Sequence, residues 1–111
     1  MNKKVILVQS TQMGRGDDRL GQMLMASFLR LLGESGEKPG TIIFLNSGVL
    51  LLCPGSPVLE HVQRLEGQEV EILACTTCLE YFDLTDKLAA GKPTTMMKTI
   101  EAVMTADVVS L

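Results

Sequence analysis

The 111-residue chain has no tryptophan, one tyrosine, three phenylalanines and a single histidine. With aromatics at only 4% of the sequence, the ring platform that would sandwich a flavin is missing, and no cofactor is expected. A structural zinc site wants four ligands, and beyond a Cys75/Cys78 pair only Cys53 and the mid-helix His61 remain, so no metal is expected either. Runs of lysine or arginine are absent. Ten basic and thirteen acidic residues, net charge -3, are scattered along the chain, which lacks the basic footprint that a phosphate backbone demands and argues against nucleic acid as a partner. No segment approaches the ~20 apolar residues needed to cross a bilayer. The start, Met1-Asn2-Lys3-Lys4 and an apolar run to Val8, is too brief for a signal-peptide core. Three cysteines, an odd number, suit a reducing compartment better than a secreted disulfide framework. The sequence therefore points to a cytoplasmic protein with no membrane partner.

Hydrophobic residues make up 46% of the chain, and 111 residues are enough to enclose one core without disulfides or metal. A single domain over 1–111 is the expectation. Four continuous apolar runs, at 4–8, 41–45, 70–74 and 107–111, suit strands buried on both faces. Helical patterns lie between them. Leu20, Leu24, Phe28, Leu31 and Leu32 recur at helical spacing as the stripe facing the sheet, capped by Asp17 or Asp18. Met25 and Leu29 then fall at the stripe's edge or beyond, as either a wide core stripe or a subunit contact. Ser56-Pro57 opens a second helix that turns Val58, Val62 and Leu65 inward and stops at Gly67. Thr77-Cys78-Leu79-Glu80 fits a capping box for a third, and a last helix over 96–104 presents Met97, Ile100 and Met104 to the sheet. The alternation predicts an α/β fold: a flavodoxin-like, doubly wound, mainly parallel sheet of four to five strands with helices on both faces. In the flavodoxin-like order 2-1-3-4, strands 1 and 3 are neighbours, and the loop at 9–17 lines one crevice with the turn at Cys75 to Cys78.

Cys75 ends a strand and Cys78 opens a helix, where exposed amides and the helix dipole favour a thiolate. Only a thiolate attacks a persulfide or another sulfane sulfur, and the C-x-x-C spacing lets one thiol resolve an intermediate formed on the other. These two are the candidate catalytic residues. The loop carrying Gly14, Arg15, Gly16 and Asp17 offers amides and a guanidinium to an anion, with Thr76 and Thr77 beside the cysteines. It lacks the Walker lysine and the dinucleotide glycine spacing. Asn46, Gly48 and Cys53 are secondary candidates. Cys53-Pro54-Gly55-Ser56-Pro57 is superficially similar to the C-P-x-P of TusA-like carriers, but its second proline comes one residue late. Two other readings stay open: a binding or assembly module whose cysteines only pack, and a small dithiol oxidoreductase.

The run Ile72-Leu73-Ala74-Cys75-Thr76-Thr77-Cys78-Leu79-Glu80-Tyr81-Phe82 resembles the DsrE/DsrF-like proteins, in particular the C-terminal domain of the YedF family linked to selenium metabolism. Gly16-Asp17-Asp18-Arg19-Leu20-Gly21, the run from Thr41 to Val49, Gly55-Ser56 and Lys87-Leu88-Ala89-Ala90-Gly91 extend the resemblance over nearly the whole chain. It implies a flavodoxin-like fold, a homo-oligomer (dimer, trimer or hexamer) and cysteines that receive and pass on sulfur or selenium as sulfurtransferase-like relay proteins do. By that resemblance Cys75 matches the persulfide-bearing position and Cys78 is the extra cysteine of a C-G-T-C subgroup. Thr76 stands where the family has glycine. The TusA-like domain that usually precedes this one in YedF proteins is lacking, so the resemblance implies a sulfur or selenium carrier, TusA-like or other, that is a separate protein or absent.

Overall fold

A computed structural model describes residues 3–111; Met1 and Asn2, which belong to the reading of the N-terminus given above, lie outside the described residues. The element order is β1 (Lys4–Val8), α1 (Asp18–Glu34), β2 (Thr41–Phe44), a 3-10 helix (Asn46–Leu52), α2 (Leu59–Gly67), β3 (Glu71–Cys75), α3 (Thr76–Tyr81), β4 (Lys92–Thr94), α4 (Met96–Thr105) and β5 (Asp107–Ser110). All strand pairs are parallel. This is the expected α/β class, a five-strand parallel sheet with helices around it.

The strand order is β4-β3-β2-β1-β5, which corrects the expected neighbourhood of strands 1 and 3. Val5 to Val8 pair in register with Thr41 to Phe44, and Thr41 to Phe44 pair in turn with Glu71 to Ala74, so β2 separates the two. Apolar runs identify buried strands but do not order them. The short edge strand β4, which carries Pro93, had no strand-like pattern to reveal it.

Period-two alternation divides the sheet side chains between two layers. Ile6, Val8, Ile42, Phe44, Ile72 and Ala74 join one core with Met25 and Leu29 of α1 and Val62 and Leu65 of α2. Val5, Ile43 and Cys75 are buried outside that core. Beside Thr41, Glu71 and Leu73, the α4 residues Lys98, Glu101, Ala102 and Thr105 border a cavity of about 450 Å³.

Helix α1 is rotated from its expected orientation. Met25 is 1% exposed and Leu29 fully buried, whereas Leu20, Leu24 and Leu31 face solvent. The buried line is Gly21, Met25, Leu29 and Gly33, each four residues from the next. Its glycines set the seat: a Cβ on Gly21 would stand 2.8 Å from Gln12 Cβ, so this face can approach the loop after β1 more closely than a leucine face. Asp17 caps the helix, its carboxylate accepting from Leu20 N at 2.8 Å. Helix α4 is also turned from its expected face: Met97, Ile100 and Met104 are exposed, and Thr99 is its buried residue. Around Ser56-Pro57 the chain forms a turn, in which Ser56 Oγ accepts from Val58 N, before α2 starts at Leu59. Val58, Val62 and Leu65 are buried and the helix ends at Gly67, as expected.

Candidate functional site

Strand β3 delivers Cys75 to the carboxyl edge of the sheet, where it becomes the N-cap of the six-residue helix α3. The expected capping box does not form. The cap is Cys75, two residues earlier than Thr77, and it makes no side-chain cap hydrogen bond; instead Thr76 Oγ1 donates to Thr94 O at 2.7 Å and ties the start of α3 to β4. Cys75 is 3% exposed. Cys78, one helical turn on, is partly exposed and lies within hydrogen-bonding reach of the Cys75 side chain.

Cys78 borders an open cleft of about 560 Å³ with Gln9, Leu45, Asn46, Thr77, Tyr81, Phe82 and Met96. One wall is the segment that leaves β2. There Asn46 adopts φ +51°, a left-handed conformation that asparagine tolerates. Its side chain accepts from Ser47 N at 2.7 Å, and its own backbone N–H donates to Cys78 Sγ at 3.1 Å. An amide aimed at a sulfur favours its anion. The far wall is apolar, with the Tyr81 and Phe82 rings edge to face at 5.2 Å and Tyr81 83% exposed at the rim.

For Cys78 the electrostatics correct the expectation that the turn favours the thiolate. Burial pushes the Cys78 thiol above its ordinary value, and its hydrogen bond with the Cys75 side chain adds to the shift. The Asn46 amide opposes this, while the charge of Cys75 raises it further. A helix of one and a half turns offers little dipole against such desolvation. Replacing Cys75 with alanine removes two of the raising influences. The pH midpoint for alkylation of Cys78, followed by peptide mass, is therefore expected to move down in Cys75→Ala; a midpoint that stays or rises would contradict this account.

The other sequence candidates are dispersed. Because β2 intervenes between β1 and β3, only Gln9 of the first loop reaches the cysteine cleft. Gly14 and Arg15 instead line a separate cavity of about 380 Å³ with Gln9, Ser10, Gln12, Ser110 and Leu111, and Gln9 Nε2 donates to Ser110 Oγ at 2.6 Å between the two spaces. Gly14 and Gly16 take positive φ, +82° and +129°, and the Asp17 carboxylate is engaged at the helix cap. Gly48 is a packing residue against Val8. Cys53 is buried, donates to Val49 O at 3.5 Å, and has its thiol raised by burial; it borders a third cavity with Thr11, Pro54 and Leu84. Leu45, Tyr81, Phe82 and Met96 were not foreseen as site residues. The readable signal was Asn46 directly after a strand, a residue type suited to turning an amide out of the sheet ladder.

Among the described residues no three His, Cys, Asp or Glu side chains converge as metal ligands, and no helix is long and apolar enough to cross a membrane. No family model matches the sequence, and no curated protein does. Solved structures do match. The ychN protein from E. coli superposes with a TM-score of 0.76 at 16% identity over 100% of both chains. MTH1491 from Methanobacterium thermoautotrophicum, a protein of unknown function, gives 0.69 at 18% identity over 97% of each. At these identities the likeness carries the fold alone, which this chain shares with both.

Proposed function

We propose that the chain is a cysteine-based sulfur relay protein in which Cys78 takes up sulfane sulfur and holds it as a persulfide. The observation that carries this reading is a paired thiol opening on a cleft with an amide 3.1 Å from its sulfur. Cys78 rather than Cys75 is the acceptor, because Cys78 borders the cleft and Cys75 lies behind it. The Cys78 thiolate attacks the outer sulfur of a donor persulfide; a new S–S bond forms, the donor S–S bond breaks, and the donor leaves as its thiolate. Attack by an acceptor thiolate on the outer sulfur reverses the step. Selenium can follow the same path. The apolar rim at Tyr81, Phe82 and Met96 suits a protein donor or acceptor, a separate TusA-like carrier, in a reducing compartment that keeps all three thiols free. Thr77 and Asn46 border the bound sulfur, with the Gly14 to Asp17 loop adjacent across Gln9.

The test is incubation of the reduced protein with glutathione persulfide, then alkylation and intact mass measurement. A gain of one sulfur atom that disappears in Cys78→Ser is expected; no gain on either the wild type or Cys75→Ser, or an undiminished gain after Cys75→Ser and Cys78→Ser together, rejects the relay. Alkylation of the native protein separates this from an assembly module with packed cysteines, in which Cys78 reacts only after unfolding.

Assembly itself belongs to the proposal. Two helices turn apolar residues outward, Leu20, Leu24 and Leu31 on α1 and Met97, Ile100 and Met104 on α4, and exposed apolar faces of this kind suit protein contacts. A homo-oligomer that buries them is expected. Light scattering should show a multimer that Leu24→Asp or Ile100→Asp breaks down, and a wild type that is monomeric at all concentrations would refute it.

A further inference from the structure

Cys75 and Cys78 occupy the N-cap and third positions of α3, the two sites that a capping box links by bonds from each side chain to the other's backbone N–H. Neither thiol caps the helix, and the two side chains face each other. Cys75 is the extended N-cap and Cys78 lies three residues on, in a close pair with it; a disulfide between them needs Cβ atoms ~3.5–4.5 Å apart. Cys78 borders the cleft and Cys75 does not. A second sulfur on Cys78 therefore extends into the cleft, with Cys75 on its protein side. Displacement at sulfur proceeds in line, with the nucleophile entering opposite the leaving group, and a thiol on the protein side of Cys78 meets that requirement.

We propose that Cys75 discharges the Cys78 persulfide as hydrosulfide, so that the pair releases sulfur in reduced form when no acceptor occupies the cleft; this rests on the relay reading above. The Cys75 thiolate attacks Cys78 Sγ. The Cys75–Cys78 disulfide forms, the bond from Cys78 Sγ to the outer sulfur breaks, and its electron pair leaves with that sulfur as HS⁻. The outer sulfur is reduced by two electrons and the two cysteines are oxidised by two, so the first discharge needs no outside reductant. Return to the dithiol requires exchange with a low-molecular-weight thiol. An acceptor attacks the outer sulfur and Cys75 the inner one, so the two fates compete for one intermediate.

The experiment exposes reduced wild type, Cys75→Ser and Cys75→Ala to glutathione persulfide, quenches by alkylation at intervals, and reads intact mass together with sulfide released after the donor is removed. Wild type should pass through the one-sulfur adduct to a species lacking two hydrogens, with about one sulfide per chain. Both Cys75 variants should retain the adduct, their sulfide release at least about tenfold lower; using two guards against one failing to fold. Equal retention of the adduct by all three proteins, without sulfide, overturns the discharge and leaves the relay standing. No adduct on any of them, or a glutathione adduct in place of the single sulfur, overturns both.

Discussion

Gly48→Ala is expected to cost about 1–3 kcal/mol of stability, the usual penalty for overpacking a close contact, and to loosen the cysteine site with it. A Cβ at this position would stand 2.5 Å from Val8 O and 3.2 Å from Val8 C. Neither is a flexible side-chain tip. Val8 O already accepts from Leu45 N at 2.9 Å, the bond that carries the β1–β2 ladder one residue past the strand. The added methyl forces the 3-10 helix away from β1 and strains that bond. Asn46, two residues upstream, moves with it, so its amide withdraws from Cys78 Sγ. Urea unfolding checks the first effect, and the Cys78 alkylation profile the second: loss of the amide moves its midpoint further up. A variant as stable as wild type would show that the contact can relax.

Phe44→Ala should be larger still, about 3–5 kcal/mol. Phe44 is fully buried on the central strand, in register with Val8 on one side and Ala74 on the other. Its neighbours are strands held by ladders on both sides and cannot collapse into the space, so the cavity persists and adds to the lost transfer energy. A drop in unfolding free energy under about 1 kcal/mol would mean that the layer repacks.

These two residues also mark what the sequence made legible. Phe44 lies in an apolar run whose continuity identified β2 and its burial on both sides. Runs of that kind located β1 and β3 equally well and gave the α/β class; the run at 107–111 also forms a strand, β5, but a largely exposed edge one and not one buried on both faces as expected. Strand order was beyond their reach, because a buried strand reads alike at any interior place, and with the order went the predicted sharing of one crevice by the β1 loop and the cysteine turn. The orientation of α1 was misread by counting leucines. The Gly21 and Gly33 spacing held the answer, since a glycine kept inside a helix usually has a packing reason, and it is the glycine-bearing face that reaches the core. The cysteine pair was visible as a motif. Their division into one buried and one cleft-lining thiol was not, because it depends on how far β2 carries Asn46 over the turn.

The order β4-β3-β2-β1-β5 leaves β4 and β5 as the sheet's free margins. Three-residue β4 carries Pro93, which has no N–H to offer, next to exposed Lys92, the combination by which natural sheets deter an incoming chain. Asp107 to Ser110 has no proline, and its charge is concentrated at its first residue, where Asp107 pairs with Lys4 at 2.7 Å. Asp107 N and Leu111 N donate to Lys3 O and Leu7 O on the β1 side, so the alternate N–H of Val108 faces outward; fibrillar growth under heat or shear should therefore start from the β5 border, and Val108→Pro should suppress it.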